Sequence, residues 1–146
     1  MPVSRARAVP AVLAAALVAA FASGCSNGES APQKRPQAGT GTASAVAGVQ
    51  QITVVTGADL RFHPSTLVVH PGKVEIILEN KVSGGSGGPP HNLQVSGLPG
   101  AFVPLTAAGD VGTVTFTAGA PGRYRFVCTI HVQQGQTGTL VVVPGS

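Results

Sequence analysis

Cys128-Thr129-Ile130-His131-Val132-Gln133-Gln134-Gly135-Gln136 places a thiolate, an imidazole and an amide oxygen in one short loop between two strand-like runs. A soft sulfur, a borderline nitrogen and a weak oxygen form a donor set that a mononuclear copper ion can use. A second imidazole, His91, lies upstream in Pro90-His91-Asn92. The single methionine is Met1, so a methionine sulfur is not available as a further ligand and Gln136 becomes the candidate for that position. Taken singly, each residue has a plainer reading: His91 as a satisfied core histidine, Cys128 as an inert buried thiol, Gln136 as a solvated loop residue. Their conjunction favours the metal.

The elements that must position these donors are strands. Composition is rich in Val, Ala, Gly and Thr, with 12 Pro and only 10% charged residues, which favours strands and turns over helices. From Val49 onward, short β-rich runs over 51–56, 66–70, 74–80, 91–96, 112–117, 123–128 and 139–143 are punctuated by Pro71-Gly72, Leu98-Pro99-Gly100 and Pro121-Gly122. This pattern predicts an all-β fold, an antiparallel sandwich or barrel. The Ala-rich region around Ala107 is too short and too Gly-rich for a helix. Side chains alternate between the faces of a strand. Tyr124, Phe126 and Cys128 therefore share one face, with Arg123 and Arg125 on the other. His91 likewise shares a face with Leu93 and Val95. His91 and Cys128 are thus expected to face the core, where a buried imidazole needs a partner.

The other histidines, His63 and His70, are placed at loop or strand-edge positions. The Ser-Gly-Gly-Ser-Gly-Gly-Pro-Pro stretch at 83–90 precedes the first imidazole. It lacks the Lys-Ser/Thr ending of a phosphate loop, so nucleotide binding is not supported. A tolerated surface loop is the preferred reading, with a partner-specific lid behind it. Cys-x-x-Cys motifs are absent.

Residues 1–24 read as a bacterial export signal: Arg5 and Arg7, an apolar run from Ala8 to Ala22 broken by Pro10, then small residues. Two cleavage readings are open. Ala22-Ser23-Gly24-Cys25 is similar to a lipobox, although Ala22 stands where a large aliphatic residue is usual. Ala20-Phe21-Ala22 fits ordinary cleavage and would leave Cys25 a free thiol. The lipoprotein reading is favoured, because an exposed free thiol outside the cytoplasm is reactive. Lipidated Cys25 would anchor the chain stably to the outer face of a membrane. A Cys25–Cys128 disulfide is the less favoured alternative in an exported protein. Residues 25–48 show no apolar period and read as a disordered tether, leaving 49–146 as the folded domain. The formal charge of +4 belongs largely to the leader and tether. From Val49 onward five basic residues face four acidic ones, so the domain is nearly neutral. With no basic stripe and few aromatics, nucleic-acid binding is not expected.

These residues resemble the cupredoxins, the small blue copper proteins, and are nearest in pattern to plastocyanin-like members. The resemblance covers about 50–146. It rests on His91-Asn92 at a strand start, on Cys128-x-x-His131, and on Gln136 five residues later, where plastocyanin-like loops carry Met. Gly135 and Gly138 also fit the family's loop. The resemblance implies a Greek-key cupredoxin-like fold and one copper ion cycling between Cu(I) and Cu(II). Its ligands would be His91, Cys128 and His131, with Gln136 a weak axial oxygen as in stellacyanin-like members. Asn92 would hold the ligand loop by hydrogen bonding to the backbone near Cys128.

The expected function is a monomeric, membrane-tethered one-electron carrier outside the cytoplasm, passing electrons to redox protein partners through a partly exposed His131 ringed by Val132 and Leu98. An extracytoplasmic copper-binding protein for buffering, delivery or sensing is the alternative, although the Met-rich or His-rich tracts of delivery proteins are absent. A metal-free adhesive sandwich is least favoured. Enzymatic activity is not expected, since no second copper domain, nucleophile elbow or paired carboxylates stand out.

Overall fold

The computed structural model describes residues 39–82 and 87–145. The expected leader over 1–24, Cys25, and the tether up to residue 38 lie outside the described residues. The strands are β1 (Thr40–Thr42), β2 (Ser44–Val46), β3 (Val49–Thr56), β4 (Thr66–Val69), β5 (Gly72–Asn80), β6 (His91–Val95), β7 (Phe102–Thr106), β8 (Val111–Ala118), β9 (Gly122–Val127) and β10 (Thr137–Val142). A six-stranded sheet runs β1-β4-β10-β9-β6-β7, and a four-stranded sheet runs β2-β3-β5-β8. The expected all-β sandwich is what forms, but its sheets are mixed rather than wholly antiparallel. β1–β4, β4–β10 and β3–β5 pair in parallel. The chain leaves β3, crosses to the other sheet as β4, and returns as β5 beside β3; a crossover of this kind sets strands parallel.

The core lies between the sheets and follows period 2. Ile52 and Val54 of β3 face inward with Val74, Ile76 and Leu78 of β5, against Leu93 and Val95 of β6, Phe126 of β9 and Leu140 and Val142 of β10. The Phe62 and Phe126 rings meet at 5.2 Å and 60°, within the usual range for tilted aromatic pairs. Gly138 stands opposite Phe126 across β9–β10. A Cβ at Gly138 would run into the Phe126 ring and approach the Ser65 carbonyl to 2.5 Å, so this strand position takes glycine in order to seat the ring.

The tether expected through residue 48 ends earlier. β1 bonds to β4 in one sheet and β2 to β3 in the other, with Ala43 N–H donating to Val68 O at 2.9 Å between them. Thr40–Val46 lacks apolar alternation and pairs through its backbone, covering the open sides of β4 and β3. β7, also absent from the sequence reading, is an edge strand, which is where Pro104 costs no ladder bond.

Candidate metal centre

The expected donors meet at one end of the sandwich. His91 opens β6, Cys128 follows the end of β9, and Gln136 immediately precedes β10. His131 lies in the intervening loop, whose backbone folds upon itself. His131 N–H donates to Cys128 O at 3.2 Å, Gln136 N–H to His131 O at 3.2 Å, and Cys128 N–H to Gln136 O at 3.1 Å. One 3-10 turn, Val132–Gln134, ends at Gly135 with φ +84°, a left-handed conformation natural to glycine. The short spacing from Cys128 to Gln136 thus closes into a loop that turns all three side chains inward.

His91 Nδ1 lies 2.9 Å from Gln136 Oε1 and 3.2 Å from His131 Nδ1. His131 Nδ1 lies 3.2 Å from Gln136 Oε1 and 3.5 Å from Cys128 Sγ. His91, Cys128 and Gln136 are fully buried, and His131 is partly exposed. Among the described residues, His91, Cys128 and His131 are the only cluster of three or more His, Cys, Asp or Glu whose ligand atoms converge, all within 4.8 Å of one another.

The atoms bonded behind these donors decide which lone pairs face inward. His91 Nε2 donates to Gly57 O at 3.1 Å, which keeps the proton on Nε2 and leaves Nδ1 with a free lone pair. Gln136 Nε2 donates to Thr56 Oγ1 at 2.7 Å, which turns Oε1 toward the histidines. Two acceptors 2.9 Å apart repel unless an electropositive atom lies between them. The separations of 2.9–3.2 Å among His91, His131 and Gln136, and of 3.5 Å between His131 and Cys128, suit ligands sharing one ion at bond lengths of about 2.0–2.3 Å. A buried thiolate, two imidazoles and an amide oxygen fit copper in both oxidation states. Burial pushes the His91 imidazole below its usual range; the hydrogen bond that a protonated His91 would donate to Gln136 opposes this, and charge on His131 adds to it. The shift favours the neutral imidazole, the form that binds metal.

A family model for the cupredoxin-like domain matches residues 13–142. The chain belongs to the cupredoxin family. This cupredoxin matches Auracyanin-B of Chloroflexus aurantiacus with 44% identity over 46 residues, which is 30% of this chain and 20% of that protein. The chain therefore spans about a fifth of the length of that curated relative. Its fold is similar to that of auracyanin A, a "blue" copper protein from the same thermophilic bacterium. The TM-score is 0.54 at 26% identity, covering 66% of this chain and 100% of that one. It is also similar in fold to the metal-binding domain of the Streptococcus pneumoniae Cu(I)-exporting ATPase CopA. Here the TM-score is 0.56 at 19% identity, covering 72% of this chain and 96% of that one. One copper ion can be held by His91, Cys128 and His131.

Asn92 Nδ2 donates to Thr129 Oγ1 at 2.7 Å and Thr129 N–H donates to Asn92 Oδ1 at 2.8 Å, so Asn92 grips the residue next to Cys128. Leu98 was expected beside His131 and is not there. It lies in the turn that leaves the far end of β6 from His91, packed on the core. Ile130, 49% exposed, and half-buried Val132 are the apolar neighbours of His131 in its loop. Sequence reasoning missed Thr56, Gly57 and Arg61. Arg61 Nη1 reaches Gly135 O at 3.4 Å and Gln134 O at 3.5 Å, bracing the ligand loop. Thr56 carried one signal: it continues the inward series Ile52, Val54 as a polar residue on a core-facing position.

His63 and His70 are exposed. His63 Nε2 pairs with Asp59 Oδ2 at 2.6 Å, and His70 Nδ1 lies 3.3 Å from Pro144 O. Of the stretch at 83–90, residues 83–86 lie outside the described residues, and Asn80 Nδ2 bonds Pro89 O at 3.0 Å just before His91.

Proposed function

We propose that this cupredoxin is a type 1 copper protein carrying single electrons outside the cytoplasm, exported by its leader and tethered to a membrane through lipidated Cys25. The observation that carries the proposal is the convergence of His91 Nδ1, Cys128 Sγ, His131 Nδ1 and Gln136 Oε1, three of them on one closed loop and the fourth on β6. Copper in this set supplies a one-electron couple with little change of ligand geometry. The protein's part is to hold the donors still. Gly57 fixes His91, Thr56 fixes Gln136, and Asn92 and Arg61 hold the loop carrying Cys128 and His131. A site that does not rearrange between oxidation states moves electrons quickly.

His131, partly exposed where the other donors are sealed, is the route by which an electron leaves. Ile130 and Val132 give its surroundings an apolar contact for redox protein partners. The near-neutral domain predicts transfer rates that depend weakly on salt. The tether confines the search for a partner to the membrane surface and raises effective concentration.

Electron self-exchange by NMR line broadening, measured with copper release to a chelator, tests the proposal. Fast self-exchange with slow release supports a carrier. Slow self-exchange with ready release would make copper buffering, delivery or sensing the function instead.

A further inference from the structure

We propose that Thr56 is a positioning residue that holds the Gln136 amide by its Nε2 with the oxygen aimed at the copper position, and thereby fixes the axial donor. The inference rests on the blue-copper reading above, with Gln136 as the fourth ligand.

The two ends of a primary amide have almost the same shape, so packing alone does not choose between them. Their chemistry differs completely. The oxygen has two lone pairs to give, whereas the NH2 group is a double donor whose nitrogen lone pair is delocalised into the carbonyl. If Nε2 faced the site, no axial ligand would exist, and two N–H bonds would point at a cation. A cation in the site therefore favours the oxygen end, and the NH2 end that then points away needs a buried acceptor to hold the amide in place. Here that acceptor is Thr56 Oγ1, 2.7 Å from Gln136 Nε2, with both side chains buried.

Thr56 sits at a strand end that is braced on both sides. It ends β3 in parallel register with Asn80 of β5. Its carbonyl accepts from Lys81 N–H at 2.8 Å. On the other side, Val55 exchanges two backbone bonds with His63, at 2.7 and 2.8 Å. The next residue, Gly57, supplies the carbonyl that orients His91. Two consecutive residues at the end of one strand therefore orient two of the four donors, one by a side chain and one by a carbonyl. A site held this way is preorganised by elements that touch no metal.

The test is a cycle of Thr56→Val and Gln136→Met, singly and together, with Thr56→Ser as the conservative control. Val matches Thr in shape and removes the hydroxyl. Two readouts are used: the reduction potential of the copper-loaded protein, and the side-chain amide signals of Gln136 in 15N–1H NMR spectra of the metal-free protein. Thr56→Val is expected to raise the potential, because the amide oxygen is no longer held on the ion. It should also remove the protection of the Gln136 amide protons from solvent exchange. Thr56→Ser should stay near the parent in both. In the Gln136→Met background, Thr56→Val should leave the potential unchanged, since no amide is left to orient.

The two ways of failing are separable. If Gln136→Met itself does not move the potential, axial ligation by Gln136 is wrong and the proposal goes with it. If Gln136→Met raises the potential and Thr56→Val does not, Gln136 ligates without help from Thr56 and this proposal alone is overturned. An equal shift from Thr56→Val in both backgrounds also overturns it, because the effect would then run through packing.

Discussion

His91 Nδ1 and Gln136 Oε1 lie 2.9 Å apart, and each has its proton-bearing nitrogen committed elsewhere, His91 Nε2 to Gly57 and Gln136 Nε2 to Thr56. The pair is a contact between lone pairs that a cation placed between them would stabilise. Cu(II) binding should therefore raise the unfolding temperature, by an amount set by the free metal concentration relative to Kd. Stripping the metal with a chelator should reverse the rise. An unfolding temperature indifferent to copper would contradict a preformed site.

Gln136→Met replaces an amide oxygen with a thioether. Oxygen favours Cu(II) over Cu(I) more strongly than thioether sulfur does. The substitution is expected to raise the reduction potential while the visible absorption band persists, as cyclic voltammetry and absorption spectra will show. A potential that stays put would remove Gln136 from the ligand set.

Asn92→Ala takes away both bonds to Thr129 and leaves the Thr129 N–H without its partner beside the buried Cys128. The loss should cost about 1–3 kcal/mol in the metal-free protein, readable from denaturant unfolding. It should also broaden the copper EPR spectrum, because Cys128 is no longer held in one orientation. Unchanged stability and unchanged line shape together would count against this role.

Gly138→Ala puts a Cβ against the Phe126 ring and the Ser65 carbonyl. Backbone cannot move aside as a side-chain tip can. The expected destabilisation is about 1–3 kcal/mol by chemical denaturation, with copper affinity falling as well, because β9 leads directly into Cys128. A neutral outcome would show that Phe126 repacks freely.

The lowered pKa of His91, caused first by burial, links pH to stability in the metal-free protein. Above about pH 6.5, the ordinary histidine value, His91 is neutral both folded and unfolded and adds no slope. As pH falls below that value, the unfolded chain takes up a proton that the folded one refuses, so stability falls. The loss levels off once pH passes the lower folded value. Replacing His91 with Asn should flatten this part of the stability–pH curve. An equal slope in the variant would place its origin in another group.

The donors were legible in the sequence for particular reasons. Cys128, His131 and Gln136 share one short loop, and the inward face of Tyr124, Phe126 and Cys128 follows from strand alternation. His91 needed one further step, from the face it shares with Leu93 and Val95. Gly57 and Arg61 were not legible, because each acts on a residue far along the chain and neither has a local motif; Thr56 showed only as a polar residue on the inward face of its strand. β1 and β2 escaped because Ser, Thr, Gly and Ala carry no apolar period; they become strands through backbone pairing with edges that only the folded sheets offer. Leu98 was misplaced because it follows the end of β6, whereas His91 opens that strand.

The most direct test of the central claim is titration of the protein with Cu(II), followed by optical absorption and EPR. The account predicts an intense visible thiolate-to-copper band that saturates at one equivalent and is lost in Cys128→Ser. Weak signals of ordinary Cu(II) type, unchanged by that substitution, would contradict it.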